Sequence, residues 1–328
     1  MSGGCGANVR PLLSAKGGMK LWKEAAGLGC KMEGVRWAFG CGSWRPRCSE
    51  WLLAARCVQD EERERIGRFI FAKDAKAAMS GRLMIRKLIA EKMKIPWNEI
   101  QLKRTIKGKP FLANPVLNII PNLNFNISHQ GDYTVLAAEP ILQVGVDIMK
   151  TDFPGSTSVA EFFRIMKRQF TDHEWNTIHT AGDEWEKLDI FYRYWALKES
   201  FIKAVGIGVG FDLQRIEFHV SPLHLQEGHV HKETIMFLDG EEEKTWAFEE
   251  TMLDDRHHVA VALGKQDTIG KYPGEVQENI NEEPSQFILL TYQDLTSSAI
   301  TMAPEDPMYW RNFEAKEEKP SRQRKMPV

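Results

Sequence analysis

Cysteine is scarce in this 328-residue chain, and all of it lies within the first 57 residues. The five cysteines are Cys5, Cys30, Cys41, Cys48 and Cys57. Their number is odd, no pair has C-x-x-C spacing, and no nearby histidines complete a zinc pattern. These features argue against a structural zinc site and a disulfide framework. We therefore expect free thiols in a cytosolic protein.

The chain also lacks an excess of charge of one sign and any long apolar run. Its 43 basic and 45 acidic side chains give a net charge of -2, whereas nucleic-acid-binding proteins usually present a strongly basic face. No apolar stretch approaches the about 20 residues that a membrane helix needs. We expect no nucleic-acid partner and no membrane span. The 43% of hydrophobic residues is typical of a globular protein with a substantial core.

Residues 1–31 carry five basic side chains against one acid, Glu24. This composition is faintly similar to that of an organelle transit peptide, but neither an apolar signal-peptide core nor a clear amphipathic repeat is present. We therefore interpret residues 1–31 as a disordered extension that precedes the first patterned sequence.

Hydrophobic periodicity predicts an α+β protein built from two similar halves. Helices followed by short strands occur once before about residue 140 and again after it, which indicates an α+β half at 32–140 and another at 141–265. Predicted helices cover 49–57, 75–93 and a block at 159–203. Thr171, with Glu174 three residues later, has capping-box spacing and predicts a new helix start inside that block. Predicted strands cover 35–39, 100–103, 122–127, 133–138, 142–148, 216–220, 234–238, 246–249 and 258–262. A polar C-terminal extension at 266–328 contains one apolar segment, 287–292, that we expect to pack on the body. Its charged end, from Glu317, is expected to be disordered.

The helix predicted at 185–205 carries the first candidate site residues. Its apolar stripe places Glu199 on or beside the face that includes Trp195 and Ile202, and Lys203 lies four residues after Glu199. An exposed Glu–Lys pair of this spacing is common and contributes only about 0.3–0.5 kcal/mol. A carboxylate next to large apolar side chains is instead partly desolvated and needs a cation to remain charged.

The strand at 143–148 supplies a second carboxylate, Asp147. Strand alternation puts Gly145 and Asp147 on one face, and the glycine leaves space where a ligand can approach closely. Carboxylates from a strand and a helix suit Mg²⁺, which is usually bound through one or two carboxylates, substrate phosphates and waters.

Cationic and polar groups upstream form a candidate phosphate site. Lys107, Gly108 and Lys109 make a flexible basic turn after Arg104, and Ser128 and its neighbour His129 end a predicted strand. A guanidinium suits bidentate phosphate contacts. Each piece has an ordinary structural explanation, but phosphate-binding groups combined with magnesium-binding carboxylates favour phosphoryl-transfer chemistry.

Two glycine-rich segments do not indicate a nucleotide-binding loop. Gly206, Gly208 and Gly210 follow a predicted helix, so they are typical of a C-cap and turn. The segment 264–271 has the wrong spacing for a Walker A loop. A kinase or nucleotide hydrolase is therefore disfavoured.

Two segments resemble the signatures of the Sfp-type 4'-phosphopantetheinyl transferases. Gly145-Val-Asp147 matches G-[VI]-D, and Trp195-Ala-Leu-Lys198-Glu199-Ser-Phe-Ile-Lys203 matches [FW]-x-x-K-E-[SA]-x-x-K, in the family's order. The resemblance extends from Glu33 to about residue 263. It implies a pseudo-twofold α+β fold with coenzyme A in the cleft between the halves. It also implies transfer of 4'-phosphopantetheine from coenzyme A to a serine of apo acyl or peptidyl carrier domains, such as those of fatty acid synthase, with release of adenosine 3',5'-bisphosphate.

The resemblance also assigns roles to residues. Asp147 and Glu199 would hold Mg²⁺, Glu199 would act as general base on the serine, directly or through water, and Lys203 would offset charge on the pyrophosphate. The residues implied to contact coenzyme A are Arg65, Arg104, Thr105, Ile106, Lys107, Gly108, Lys109, Asn126, Ile127, Ser128, His129, Glu199 and Lys203. Many relatives have a second acid two residues after the aspartate, where this chain has Met149. We therefore expect Gln130 or water to complete the magnesium site.

Two questions stay open at the level of sequence. A non-catalytic module that binds coenzyme A or carrier proteins on the same fold is the alternative function; the joint presence of Asp147, Glu199 and Lys203 favours the enzyme. The segment 162–170 combines Arg164, Lys167 and Arg168 with apolar residues, which fits either a docking surface for acidic carrier domains or an ordinary amphipathic helix. No coiled-coil pattern is present, and we expect a monomer.

Overall fold

The computed structural model describes residues 33–114, 123–208, 210–265 and 286–318. The extension predicted at 1–31 lies outside the described residues. The helices are α1 (Cys48–Arg56), α2 (Asp60–Gly67), α3 (Ala72–Lys92), α4 (Val159–Met166), α5 (Asp172–Thr180), α6 (Glu184–Val205), α7 (Tyr292–Thr296) and α8 (Pro307–Glu314). The strands are β1 (Val35–Phe39), β2 (Leu102–Arg104), β3 (Pro110–Leu112), β4 (Asn124–Gln130), β5 (Tyr133–Glu139), β6 (Gln143–Lys150), β7 (Ile216–His219), β8 (Ile235–Leu238), β9 (Glu241–Glu242), β10 (Trp246–Asp254), β11 (His257–Gly264) and β12 (Ile288–Leu289).

The N-terminal half is a sheet of order β12-β1-β5-β4 with helix α3 on one face. Alternate residues of the strands divide between the two faces of this sheet. Leu136 and Ala138 of β5 pack with the α3 residues Leu83 and Ile85, because successive side chains of a strand point to opposite faces.

The C-terminal half contains a second sheet, of order β10-β11-β6, covered by α6. Ala260 and Ala262 of β11 pack with α6 residues such as Leu197 and Phe201. Two shorter helices precede α6, and the capping box predicted for Thr171 and Glu174 is present at the start of α5.

The two sheets pack against each other through a separate apolar cluster. Val135 and Ala137 of β5 contact it from the N-terminal half, and Val146, Ile148 and Val259 contact it from the C-terminal half. The mixed helix and strand content and the two halves agree with the predicted α+β fold. Between the halves, the edge strands β4 and β6 lie side by side, and this juxtaposition positions the site described below.

The C-terminal segment returns to the N-terminal half. Strand β12 pairs in parallel with β1, as expected for part of the apolar segment 287–292, and Phe313 of α8 stacks on Trp51 with ring centroids 3.8 Å apart. Glu318 accepts a hydrogen bond from the buried Lys76. The expectation of disorder from Glu317 onward was therefore wrong for its first two residues, since the backbone oxygen of Glu317 also accepts from Ala72 N–H at 2.8 Å.

The sequence did not predict several of the observed elements. Helix α2 is dominated by charged residues, so it carries little apolar periodicity, and β3 is only three residues long. Helices α7 and α8 lie in a polar stretch where short apolar contacts, rather than a continuous stripe, hold them. Across the described helices, none is long and apolar enough to cross a membrane.

Candidate functional site

Side chains of β4 connect the two halves of the protein. At every second position, a β4 side chain hydrogen-bonds to β6 or to the residue before it. The contacts are Asn124 Nδ2 to Leu142 O at 3.0 Å, Val146 N to Asn126 Oδ1 at 3.2 Å, Ser128 Oγ to Asp147 Oδ1 at 2.7 Å, and Lys150 N to Gln130 Oε1 at 2.6 Å. Because β4 and β6 are edge strands of different sheets, these polar side chains take the place of a backbone ladder and make the junction hydrophilic.

A charged cluster occupies this junction. Asp147 is only 4% exposed, and its Oδ1 accepts hydrogen bonds from Ser128 Oγ at 2.7 Å and from Lys203 Nζ at 2.5 Å. Lys203 Nζ also donates to Ser128 Oγ at 2.7 Å. A buried carboxylate needs such partners to remain ionised. The cluster therefore joins one residue of the N-terminal half to two of the C-terminal half.

Close packing of α6 on β6 brings Lys203 to Asp147. A Cβ atom at Gly145 would lie 2.0 Å from Ser200 O and 2.4 Å from Ala204 N, so only glycine allows this approach. The sequence-based interpretation of Gly145 as space for a ligand was wrong in this respect, because helix backbone fills that space.

Glu199 lies one helical turn before Lys203 and is half-buried. Desolvation raises the pKa of its carboxyl group, the negative charge of Asp147 raises it further, and Lys203 partly opposes both effects. Among the described residues, Glu199 makes no ion pair within 4 Å, so the simple Glu199–Lys203 pair considered from the sequence does not form. A carboxylate whose pKa is raised toward neutrality is suited to accept a proton.

The donor set fits a divalent cation. Asp147 and Glu199 are carboxylates from a strand and a helix, and the rise in the Glu199 pKa caused by Asp147 reflects like charges that a cation would neutralise. Mg²⁺ prefers such oxygen ligands. Gln130 lies at the end of β4, where its amide oxygen already accepts from Lys150 N–H. Met149 packs against the apolar cluster of the C-terminal half.

The basic turn at 105–109 contacts the end of α6. Gly108 has a φ of +83°, which permits the turn between β2 and β3. Lys109 Nζ donates to Lys203 O at 3.3 Å, and Lys107 Nζ donates to the carbonyl oxygens of Gly206 and Ile207. Cations are favourable next to the unpaired carbonyls at a helix C-terminus. These hydrogen bonds place the turn beside the helix that carries Glu199 and Lys203. Burial lowers the pKa of Lys109.

The other residues of this turn differ in what they offer. Thr105 Oγ1 accepts from Lys109 N–H at 3.1 Å and shapes the turn, whereas the Ile106 side chain is fully exposed. Gly206, which follows α6, has φ +73° and forms the predicted C-cap.

On β4, neighbouring side chains face different surroundings. Ile127 packs against the N-terminal core, so its side chain points away from the junction and toward Gly81 of α3. His129 is exposed to solvent, yet its pKa is lowered by partial desolvation and by the positive charges of Lys203 and Arg65. The carboxylates of Asp74 and Asp147 partly oppose this lowering of the His129 pKa.

Sequence analysis missed the carboxylate that organises the arginines. Arg104 and Arg65 both bond to Glu62, through contacts of 3.0 Å and 3.1 Å, and Arg104 Nη1 also donates to Gly108 O at 2.9 Å. Glu62 lies within a charged run, where no local pattern distinguishes it from its neighbours. Only the tertiary contacts identify it.

Comparison with known proteins identifies the class of this protein. A sequence profile described as "4'-phosphopantetheinyl transferase, N-terminal" matches residues 42–141. A second, described as "4'-phosphopantetheinyl transferase superfamily", matches residues 143–262, which contain Asp147, Glu199 and Lys203. The chain belongs to the 4'-phosphopantetheinyl transferase superfamily. This match confirms the predicted enzyme class. An enzyme of this class uses coenzyme A and a carrier protein as substrates.

The similarity covers most of the chain. It is 62% identical over 291 residues to human L-aminoadipate-semialdehyde dehydrogenase-phosphopantetheinyl transferase, covering 89% of this chain and 94% of the human protein. The Xenopus laevis protein of the same name is 60% identical over 299 residues, covering 90% of this chain and 97% of that protein. The 4'-phosphopantetheinyl transferase Sfp of Bacillus subtilis is 33% identical over 175 residues, covering 53% of this chain and 69% of Sfp.

Proposed function

We propose that the junction between β4, β6 and α6 is the active site for transfer of 4'-phosphopantetheine from coenzyme A to a carrier serine. The observation that carries this proposal is the meeting of Ser128 from one half with Asp147 and Lys203 from the other, beside Glu199. In this proposal the halves are related by a pseudo-twofold axis, and coenzyme A lies in the cleft between them.

Glu199 is the general base of the reaction. It takes the proton from the acceptor serine hydroxyl, directly or through water, while the serine oxygen forms a bond to the β-phosphorus of coenzyme A. The bond between that phosphorus and the bridging oxygen breaks, and adenosine 3',5'-bisphosphate leaves with the electron pair. A hydroxyl is a weak nucleophile at neutral pH and needs a base within hydrogen-bond reach. The raised pKa of Glu199 brings its basicity closer to what this step requires.

The cations of the site hold and neutralise the phosphates. Lys203 lies beside the proposed pyrophosphate position and offsets its charge. Arg65, Arg104, His129 and the basic turn between β2 and β3 would contact the phosphates of coenzyme A. Phosphoryl transfer depends mainly on positioning and on preorganised charge, so this arrangement is the expected machinery. Lys107 and Lys109 would exchange their contacts with the helix C-terminus for phosphate oxygens.

Asp147 and Glu199 would hold Mg²⁺, and Gln130 or a water molecule would supply a further ligand. When bound, Mg²⁺ neutralises charge on the pyrophosphate oxygens. Lys203, whose ammonium group contacts Asp147 in this structure, would offset part of the remaining negative charge of the substrate.

The acceptor is proposed from the relatives. Because several of them are named for aminoadipate-semialdehyde dehydrogenase, we include the carrier domain of that enzyme, together with that of fatty acid synthase, among the substrates. Activity as a monomer in the cytosol is part of the same proposal. Buried Cys41 and Cys57 are free thiols, which suits a reducing compartment.

The test is the intact mass of apo carrier proteins after incubation with the enzyme, coenzyme A and Mg²⁺. We expect a gain of one phosphopantetheine, absent when the carrier serine is replaced by alanine and reduced when Mg²⁺ is chelated. If the mass of both proposed carriers stays unchanged while coenzyme A still binds, the alternative is supported: a non-catalytic module that binds coenzyme A or carrier proteins.

A further inference from the structure

Three arginines share one carboxylate next to the candidate site. Arg104 bonds to Glu62 through Nε–Oε1 at 3.0 Å and Nη2–Oε2 at 3.2 Å. Arg65 Nε and Arg82 Nε reach Glu62 Oε2 at 3.1 Å and 3.2 Å. These residues come from α2, α3 and β2. Glu62 therefore fixes the relative positions of guanidinium groups that three separate elements carry.

The cluster holds a surplus of two positive charges. Glu62 is the only carboxylate, among the residues that the structure describes, within ion-pair distance of any of the three arginines. Burial alone would raise the pKa of Glu62, but the hydrogen bonds from Arg104 and the charge of Arg82 hold it below its ordinary value. Glu62 thus remains an anion, and the unbalanced guanidinium charge attracts a second anion.

Arg82 shows that the cluster is incompletely satisfied. Its side chain is 6% exposed, and within the described part of the chain its buried Nη1 has no hydrogen-bond partner. Burial and the neighbouring charges of Arg104 and Arg65, partly opposed by Glu62, lower the pKa of Arg82 to about 10. An unpaired buried donor is costly, and a bound anion would reduce the mutual repulsion of the guanidiniums.

The cluster is continuous with the site. Arg104 Nη1 donates to Gly108 O at 2.9 Å in the basic turn, and the charge of Arg65 reaches His129. Its exposed side consists of Arg65 and Arg104, 40% and 30% exposed, whereas Glu62 and Arg82 lie behind them. The exposed guanidiniums can contact a ligand while the buried pair holds them.

We propose that Glu62 is a positioning residue for coenzyme A, which holds Arg65 and Arg104 aligned on a phosphate group and is itself supported by Arg82. The inference rests on the proposed coenzyme A role of the two exposed arginines. It assigns to a carboxylate a favourable effect on the binding of an anion. Simple charge counting predicts the opposite effect, because removal of a negative charge would make the site more attractive to phosphate.

This opposition gives a sharp test with Glu62→Gln, which keeps the size of the side chain and removes its charge. We expect the Kd for coenzyme A, measured by calorimetry, and its KM to rise about tenfold because charge-assisted contacts to the arginines are lost. The kcat and the KM for the carrier should change less than about twofold. Glu61→Gln is the matched control, since Glu61 is the exposed neighbour in the same helix. Unchanged or tighter coenzyme A binding by Glu62→Gln overturns the proposal.

Two further measurements separate positioning from general stability. In Arg104→Gln, adding Glu62→Gln should lower coenzyme A affinity by less than Glu62→Gln does alone, because only Arg65 then still depends on Glu62. Fully additive losses contradict the proposal. If Glu62→Gln does not fold, Glu62→Asp retains the charge but moves it by one methylene, and normal coenzyme A affinity in that variant overturns the proposal. Calorimetry requires no transfer reaction, so an absence of transfer in the unmodified enzyme would count against the proposed function alone.

Discussion

Gly145 and Ser200 lie in contact across β6 and α6, so close that a Cβ on Gly145 would stand 2.0 Å from the carbonyl oxygen of Ser200. Ser200 is the residue after Glu199 and three before Lys203. The distance between strand and helix therefore sets the distance between Asp147 and the two helix residues of the site. The absence of a Cβ atom at Gly145 therefore determines the geometry of the charged cluster.

Gly145→Ala should accordingly damage both stability and activity. Helix α6 must shift away from β6, and overpacking of this kind typically costs about 1–3 kcal/mol. The expected result is a lower melting temperature and a fall in kcat, as Lys203 moves away from Asp147. Gly67→Ala at the end of α2 is the control, because a Cβ there would meet only ordinary contact, 3.4 Å from Tyr309. Equal melting temperatures for the two variants would contradict the packing argument.

Glu199→Gln should lose most of its turnover while weakening coenzyme A binding much less. The amide retains size and one oxygen, but it cannot accept the serine proton, and loss of a general base typically costs about 10²–10⁴-fold in rate. Single-turnover transfer to an apo carrier at saturating Mg²⁺ measures the chemical step. Near-normal turnover there would show that another group takes the proton.

Gln130→Ala should raise the Mg²⁺ concentration needed for half-maximal activity. The Gln130 amide oxygen lies at the end of β6, 2.6 Å from Lys150 N. The proposed magnesium site draws two carboxylates from the described residues, so a further oxygen should contribute to metal affinity. Met149→Glu is the comparison variant for stability. Because Met149 packs against an apolar cluster, its replacement should lower the melting temperature. An unchanged Mg²⁺ requirement in Gln130→Ala with folding intact would remove Gln130 from the metal site.

The free energy of unfolding should fall as the pH drops below about 6.5, the ordinary histidine value. Buried His257 accepts from Asp132 N–H at 3.1 Å and contacts Asp254 at 2.7 Å, and burial lowers its pKa. The unfolded chain therefore takes up a proton near pH 6.5 that the folded protein resists until a lower pH. One such proton changes stability by at most about 1.4 kcal/mol per pH unit.

Urea unfolding between pH 5 and 8 checks this expectation. His257→Gln removes the titrating group and should flatten the decline, whereas His229→Gln, at an exposed position, should leave it unchanged. A decline of equal slope in the unmodified protein and in His257→Gln would assign the effect to other groups.

Charge reversal of Lys167 and Arg168 tests the predicted carrier-docking surface. Both residues are exposed after α4, whereas Arg164 is already paired with Glu161 at 2.6 Å. We expect the double reversal to raise the KM for an acidic carrier several-fold at low salt, less so at high salt, and to leave the KM for coenzyme A unchanged. Lys244→Glu, at another exposed position, is the control. Equal changes in both KM values would favour the ordinary amphipathic helix.

Local sequence pattern was sufficient for much of the fold and for selecting the residues that the candidate site brings together. Strand alternation placed Asp147 and Gly145 on one face of β6, and the two motifs marked Asp147, Glu199 and Lys203 as one chemical unit. The Thr171 capping box and the Gly206 C-cap were also predicted, because caps depend on neighbouring residues alone.

The tertiary structure alone determined which partners these residues contact. Lys203 contacts Asp147 and Ser128 rather than Glu199, because packing of α6 on β6 aims its side chain at the strand. Glu62 gathers arginines from three elements, and β4 side chains replace a backbone ladder between two sheets. Periodicity within a segment reports which face of that segment is buried. It carries no information on which polar groups from distant segments meet there, since that is fixed only when the elements pack.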